Sequence, residues 1–208
     1  MNTEEIIEQI DRRFRHASEK NLIVGVSGID GSGKSTVSNQ LESALSGRGI
    51  ATAQINLDDF LNPKEIRHKN PNQIEGYFQD NFDFESLVTK VLEPARRSAS
   101  FNCKVPVLTL ETDQISDREF TFSGPGVLII EGVFLFKKEM RDLFDFKIWL
   151  QIEFEQAMNR VLKRTRDKRY GNPEAIRARY EERFFPTQRF HLERDNPCEA
   201  ADITINIS

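Results

Sequence analysis

The sequence predicts an α/β fold, a parallel β-sheet flanked by helices, and three observations carry that prediction. Apolar runs of strand length stand at residues 22–27, 126–132 and 146–152, lacking the polar alternation of a sheet with one face in water. Between the runs lie segments with the apolar spacing of amphipathic helices. The first run passes directly into Gly28, Ile29, Asp30, Gly31, Ser32, Gly33, Lys34, Ser35 and Thr36, which fits G-x-x-x-x-G-K-[ST]. Such a glycine-rich turn from strand to helix aims several backbone N–H groups, and the positive end of the helix dipole, at one point suited to a phosphate.

Taken in order, Thr3 caps a first helix, placed at 1–18, with Ile6, Ile7, Ile10 and Phe14 on one face. After strand one and the loop, a helix runs from about 34 to 46 and is closed by Gly47 and Gly49. Residues 50–57 read as strand two, parallel to strand one by the right-handed crossover rule. The polar stretch 62–80, with Pro63, Pro71 and Gly76, reads as a long functional loop. Asp83 caps a helix bearing Phe84, Leu87, Val88, Val91 and Leu92 that ends near 94–98. A β excursion occupies about 101–123, with strands at 105–110 and 118–122. A buried central strand follows at 126–132, then a strand at 146–152, a helix from 153 to about 165, a helix from 173 to about 184 that stops before Pro186, and a last strand at 203–207.

Composition narrows the function. The 208 residues suit one domain with a lid, spanning 1–208, and a net charge of −4 argues against nucleic acid or a membrane surface as partner. Two cysteines and three histidines without metal-ligand spacing give neither a disulfide framework nor a zinc site. The acidic start, without a basic region and apolar core, and the lack of a membrane-length apolar run predict a soluble cytoplasmic protein. A homo-oligomer is compatible with all of this.

The loop motif assigns roles by its chemistry: Lys34 reaches the β/γ-phosphates, the Ser35 hydroxyl ligates Mg²⁺, and Thr36 lies by the α-phosphate. Ligands of open parallel sheets bind at the carboxyl ends of strands, which places Asp58 or Asp59 and then Glu131 at the same crevice, Glu131 as an acid that orients Mg²⁺ or its water. The basic block Arg160, Lys163, Arg164, Arg166, Lys168 and Arg169 reads as a lid over triphosphate at about 164–173, with a solvated helix face as the alternative. Phe134, Leu135 and Phe136 read as packing.

These pieces together resemble the uridine kinase and phosphoribulokinase family of P-loop small-molecule kinases. The matching stretches are SGIDGSGKST at 27–36, DDF at 58–60, NFDFESL at 81–87, VPV at 105–107, IIEGVFLF at 129–136, RTRDKRYG at 164–171, PTQRF at 186–190 and AD at 201–202. The resemblance implies a P-loop NTPase fold, ATP with Mg²⁺ as donor and a hydroxyl of a small metabolite as acceptor. It further implies that Asp58 is the general base, that Asp80 contacts a ribose hydroxyl, and that Arg164, Arg166 and Arg169 belong to the lid. Gln188 matches a Gln near the adenine or acceptor end. Uridine kinases of the family read V-P-x-Y-D-F followed by a His that contacts the pyrimidine. Here 105–110 reads VPVLTL, Asp113 stands about where the His would, and no Tyr or His occurs from 101 to 122. A nucleoside acceptor is thus a family expectation, with a sugar or vitamin as the alternative. An ATPase or nucleotide switch without an acceptor and a nucleic-acid module built on the 160–179 basic block are the readings from other classes.

Overall fold

The computed structural model describes residues 3–17, 19–109 and 112–207 and, of Phe101 and Arg166, the backbone. Along the chain run α1 (Thr3–His16), β1 (Leu22–Gly28), α2 (Lys34–Gly47), β2 (Thr52–Asn56), α3 (Lys64–Arg67), α4 (Gln73–Gln79), α5 (Phe84–Ser86), α6 (Glu93–Arg97), β3 (Phe101–Thr109), β4 (Gln114–Phe122), β5 (Val127–Gly132), β6 (Phe146–Gln151), α7 (Phe154–Val161), α8 (Pro173–Arg179), α9 (Phe185–Asp195), α10 (Pro197–Ala200) and β7 (Ile203–Asn206). Five strands form one parallel sheet in the order β2-β5-β1-β6-β7, and β3 pairs with β4 as a separate antiparallel hairpin. Strands one and two are parallel as the crossover rule requires, with β5 inserted between them.

The uninterrupted apolar strands have a simple cause: successive side chains point to opposite faces, and both faces are covered. Leu22, Val24 and Val26, with Val127, Ile129, Phe146, Ile148 and Leu150, pack under α1 and α2 against Ile6, Ile7, Ile10, Leu41 and Leu45. Each such burial stabilises by roughly 1.5–3 kcal/mol before the entropy of ordering is subtracted. Ile23, Leu128, Ile130 and Trp149 face the other way into a larger cluster that includes the hairpin, α4 and the helices after residue 173. Phe134, Leu135 and Phe136 lie wholly inside that cluster, which makes them packing residues. Phe134 keeps φ at +60°, a costly conformation for a bulky residue, and is held there by ring contacts from Tyr77, Phe78, Phe82 and His191.

Two expectations need correction. The stretch 62–80 is not a plain loop: Asn72 caps α4 by accepting from the N–H groups of Ile74 and Glu75, and the helix buries Gly76, Tyr77 and Phe78. Seven residues are too few for an apolar period to stand out, although the Asn cap was legible. Nor does the helix after 173 stop before Pro186, since α8 runs through a wide π-type turn at Tyr180–Phe184 straight into α9. Proline lacks an N–H and its ring collides with the carbonyl four residues back in a regular helix; widening the preceding turn relieves both faults. The same device, a π-type turn at Leu87–Leu92, precedes Pro94 in the helix that Asp83 caps through the Ser86 N–H at 2.9 Å. The hairpin strands are longer than the sequence suggested, nine residues each, and Leu110, expected as a strand end, lies outside the described residues. Among the described residues no helix is long and apolar enough to cross a membrane.

Candidate active site

Parallel pairing brings the carboxyl ends of β1, β2 and β5 to one edge. Val26 pairs with Glu131 and Asn56 pairs with the same residue from the other side, so the three strand ends are level. Glu131 is buried, and its Oε1 accepts from Asn56 Nδ2 at 2.7 Å and from the Ser35 hydroxyl at 2.7 Å. Asn56 uses its other amide atom as well, its Oδ1 accepting from the Asp58 N–H at 2.8 Å. A strand end, a helix start and the turn that carries Asp58 are thereby tied through one carboxylate.

The glycine-rich loop closes the same edge. Gly31 has φ +85°, and a Cβ there would lie 2.8 Å from the Ala157 carbonyl oxygen, so both its conformation and its packing exclude a side chain. Gly33, at φ +95°, starts α2 with no side-chain cap, which leaves the first-turn amides of a 14-residue helix directed at the crevice. Lys34 folds back over the loop, its ammonium donating to the carbonyls of Gly28 at 3.2 Å and Ile29 at 3.1 Å. Burial lowers its pKa from the ordinary lysine value, Asp30, Glu131 and Asp58 oppose that shift, and Arg164 adds to it. Asp30 is itself clamped: its N–H donates to Gln188 Oε1 at 3.1 Å, and Gln188 Nε2 donates to its Oδ2 at 2.9 Å. Ser32 is buried, and Ile29 joins the core beneath the loop.

Two cavities open at this edge. The first, about 380 Å³, is lined by Asp30, Gly33, Lys34, Ser35, Thr36, Asn56, Asp58, Glu131 and Arg164 among others. Arg164 brings a buried Nη1 that has no hydrogen-bond partner among the described residues, a donor suited to phosphate oxygens. The second, about 520 Å³, is walled by Leu61, Tyr77, Asn81, Phe82, Tyr170 and Phe184 and by basic groups from α3, Arg169, Arg179 and Arg183. Asp58 lines both. Its neighbour Asp59 turns the other way and pairs with Arg118 of β4 at 2.7 Å.

The structure thus gathers Lys34, Ser35, Thr36, Asp58, Glu131 and Arg164 at one cavity and separates other expected residues from it. Arg169 lines the larger cavity, where it donates to the Tyr170 hydroxyl at 3.0 Å. The Arg166 side chain is outside the described residues. Gln188 is buried behind Asp30, to which it is hydrogen-bonded, and lines neither cavity. Asp80 lines neither cavity, whereas Asn81 does. Sequence reasoning missed Asn56, a polar residue at the end of β2, two places before Asp58. It also missed Arg67 and Arg183, which no local pattern marks, and took Arg179 only as the end of a basic block.

Comparison with known proteins agrees with this geometry. Residues 23–203 match the model of the phosphoribulokinase / uridine kinase family. The chain is 29% identical over 161 residues to uridine-cytidine kinase A of Dictyostelium discoideum, covering 76% of this chain and 31% of the relative. It is 30% identical over 156 residues to a pantothenate kinase of Streptococcus agalactiae, covering 70% of this chain and 50% of the relative. It therefore spans from about a third to a half of the length of these two relatives. A solved structure described as a possible uridine kinase from Bacillus stearothermophilus superposes with a TM-score of 0.72 at 25% identity, over 97% of this chain and 99% of that one. With the glycine-rich loop, the strand-end carboxylates and the match along residues 23–203 in agreement, the chain belongs to the phosphoribulokinase / uridine kinase family.

Proposed function

We propose that this protein transfers the terminal phosphoryl group of ATP to a hydroxyl of a small metabolite held in the 520 Å³ cavity. The observation that carries this reading is the position of Asp58, which lines both the cavity at the glycine-rich loop and the larger cavity. Phosphoryl transfer asks little covalent chemistry of a protein; it asks for alignment and for neutralised charge. The Asp58 carboxylate accepts the proton of the acceptor hydroxyl as that oxygen bonds to the terminal phosphorus. The bond from phosphorus to the bridging oxygen breaks, and its electron pair leaves with ADP. Lys34 and Arg164 hold the phosphate oxygens, and the amides at the start of α2 bind without reorganising.

The donor set fits Mg²⁺: a Ser35 hydroxyl within hydrogen-bond distance of a buried Glu131 carboxylate offers hard oxygen ligands. Among the described residues no group of three or more His, Cys, Asp and Glu could hold a metal, which suits an ion bound through few protein atoms plus phosphates and water. When bound, the ion would offset charge on the transferring phosphate and so let the neighbouring carboxylates coexist with ATP. A reducing cytoplasm is the proposed setting, in keeping with the free thiols of Cys103 and Cys198.

A screen of hydroxylated metabolites for ATP consumption, with product mass measured, tests the proposal. The expected result is an acceptor-dependent release of ADP and a product heavier by one phosphoryl group. Release of ADP that is unchanged across nucleosides, sugar phosphates, hydroxy acids and vitamins would leave an ATPase or switch in its place.

A further inference from the structure

The larger cavity carries more positive charge than a neutral acceptor needs. Among the described residues Lys64, Arg67, Arg169, Arg179 and Arg183 line it, against the carboxylates of Asp58 and Asp113. Asp113 is already engaged, accepting from Arg67 Nη2 at 3.0 Å and from the Lys64 N–H at 3.1 Å. Arg183 is only 7% exposed, lies with its guanidinium 5.2 Å from the Tyr77 ring centroid, and has an Nε without a hydrogen-bond partner. Arg179 repeats the pattern: its Nε is buried and unpartnered, and its guanidinium lies 5.6 Å from the Phe184 ring centroid. Neither makes an ion pair with a described residue. A smaller cavity of about 230 Å³ opens on Arg67, His68, Arg179 and Arg183 as well, so the same cations are reached from two sides.

Guanidinium groups taken out of water without an anion are costly, and natural proteins rarely leave buried donors unmatched. The crowding also shows in the protonation of the neighbours. Desolvation lowers the His68 pKa and Arg183, Arg67 and Arg179 lower it further, while burial and then Arg179 lower that of Arg183. We propose that the acceptor is a hydroxylated metabolite bearing an anionic group, carboxylate or phosphate, which is seated on Arg179 and Arg183 while its hydroxyl meets Asp58. Two planar guanidiniums present the forked donors that both anions accept, and a neutral nucleoside would leave them unpaired.

This inference rests on the kinase reading, and one set of assays separates the two. Initial rates are measured with glycerate, pantothenate, a ribose monophosphate and uridine, for the natural protein and for Arg179→Gln, Arg183→Gln and the double variant. An ATP-induced rise in Tm reports that each variant is folded, and Arg179→Gln, at a half-buried position, keeps the test open if Arg183→Gln does not fold. The natural protein is expected to phosphorylate at least one anionic acceptor with kcat/KM about 10²-fold above uridine, the carboxylate and phosphate arms telling which anion it takes. The variants are expected to lose about 10²-fold on that acceptor, chiefly in KM, with the preference over uridine nearly erased. Preference for uridine, or equal losses on charged and neutral acceptors, overturns the anionic acceptor and leaves the kinase. Absence of acceptor-dependent ATP consumption throughout overturns both.

Discussion

The two cavities that meet at Asp58 are built by different means. The 380 Å³ cavity draws mostly on contiguous residues and strand ends: one continuous loop, the first turn of α2, and carboxylates levelled by parallel pairing. The 520 Å³ cavity draws on segments far apart in sequence: α3, α4, the hairpin turn and the helix after residue 173. A cradle of contiguous residues is set by local sequence. A cradle assembled from distant segments is set by tertiary packing and can change its ligand while the fold stays the same. The contrast teaches that family membership speaks for the donor side of this protein and much less for the acceptor side.

The sharpest way to break that division is at the residue both cavities share. Asp58→Asn keeps size and polarity but cannot take a proton, and it should lower kcat by about 10²–10⁴-fold. ATP affinity, read by thermal shift, should hold, because Lys34 and the α2 amides are untouched. Turnover within a few-fold of the natural protein would remove Asp58 from the reaction and with it the reason for joining the cavities.

Arg164 tests the donor side. Its buried, unpartnered Nη1 lies in the phosphate cavity, so Arg164→Ala should cost about 10²–10³-fold in kcat, the range for one preorganised donor to developing charge. An effect confined to the acceptor KM would move Arg164 to the other cavity. Gln188 should act more weakly and only through Asp30. Gln188→Leu removes both hydrogen bonds of that clamp, and KM for ATP is expected to rise about tenfold, since small displacements of a positioned group carry such penalties. A rise in acceptor KM with ATP unaffected would instead place Gln188 at the acceptor end, one of the two positions that the family resemblance implies for it.

The same division explains what the sequence made legible. The loop, Lys34, Ser35 and the strand-end acids follow from contiguous residues plus one rule of parallel sheets, which placed Glu131 and one of Asp58 and Asp59 at the crevice, while the choice of Asp58 came from the family resemblance. Arg179 and Arg183 could not, because a charged pair on a helix reads as a solvated face until the packing of Tyr77, Tyr170 and Phe184 shows which way it turns. The hydrogen bonds of Gln188 to Asp30 were not legible either, because they join residues 158 positions apart in sequence. The continuation of the helix past residue 184 was missed for a related reason, since the widened turn that carries it on through Pro186 leaves no mark in the sequence.

The smallest effect should fall one residue from the largest. Asp59 points to the hairpin and pairs with Arg118, whose side chain is 51% exposed, so the pair is worth no more than about 1 kcal/mol. Burial raises the Asp59 pKa, while Arg118 pulls it back in part. The fold therefore favours the protonated form, and the stability this gives is present below the ordinary carboxylate value of 3.8 and lost as pH rises through the folded value. Asp59→Asn imitates that protonated form at every pH. Relative to the variant, the natural protein should lose stability as pH rises from the acid range toward neutrality, as read by urea denaturation at several pH values. Turnover should change by less than about fivefold, because at most about 1 kcal/mol is at stake. If Asp59→Asn costs as much turnover as Asp58→Asn, the two carboxylates share the reaction, and the wall between donor and acceptor is not one residue wide.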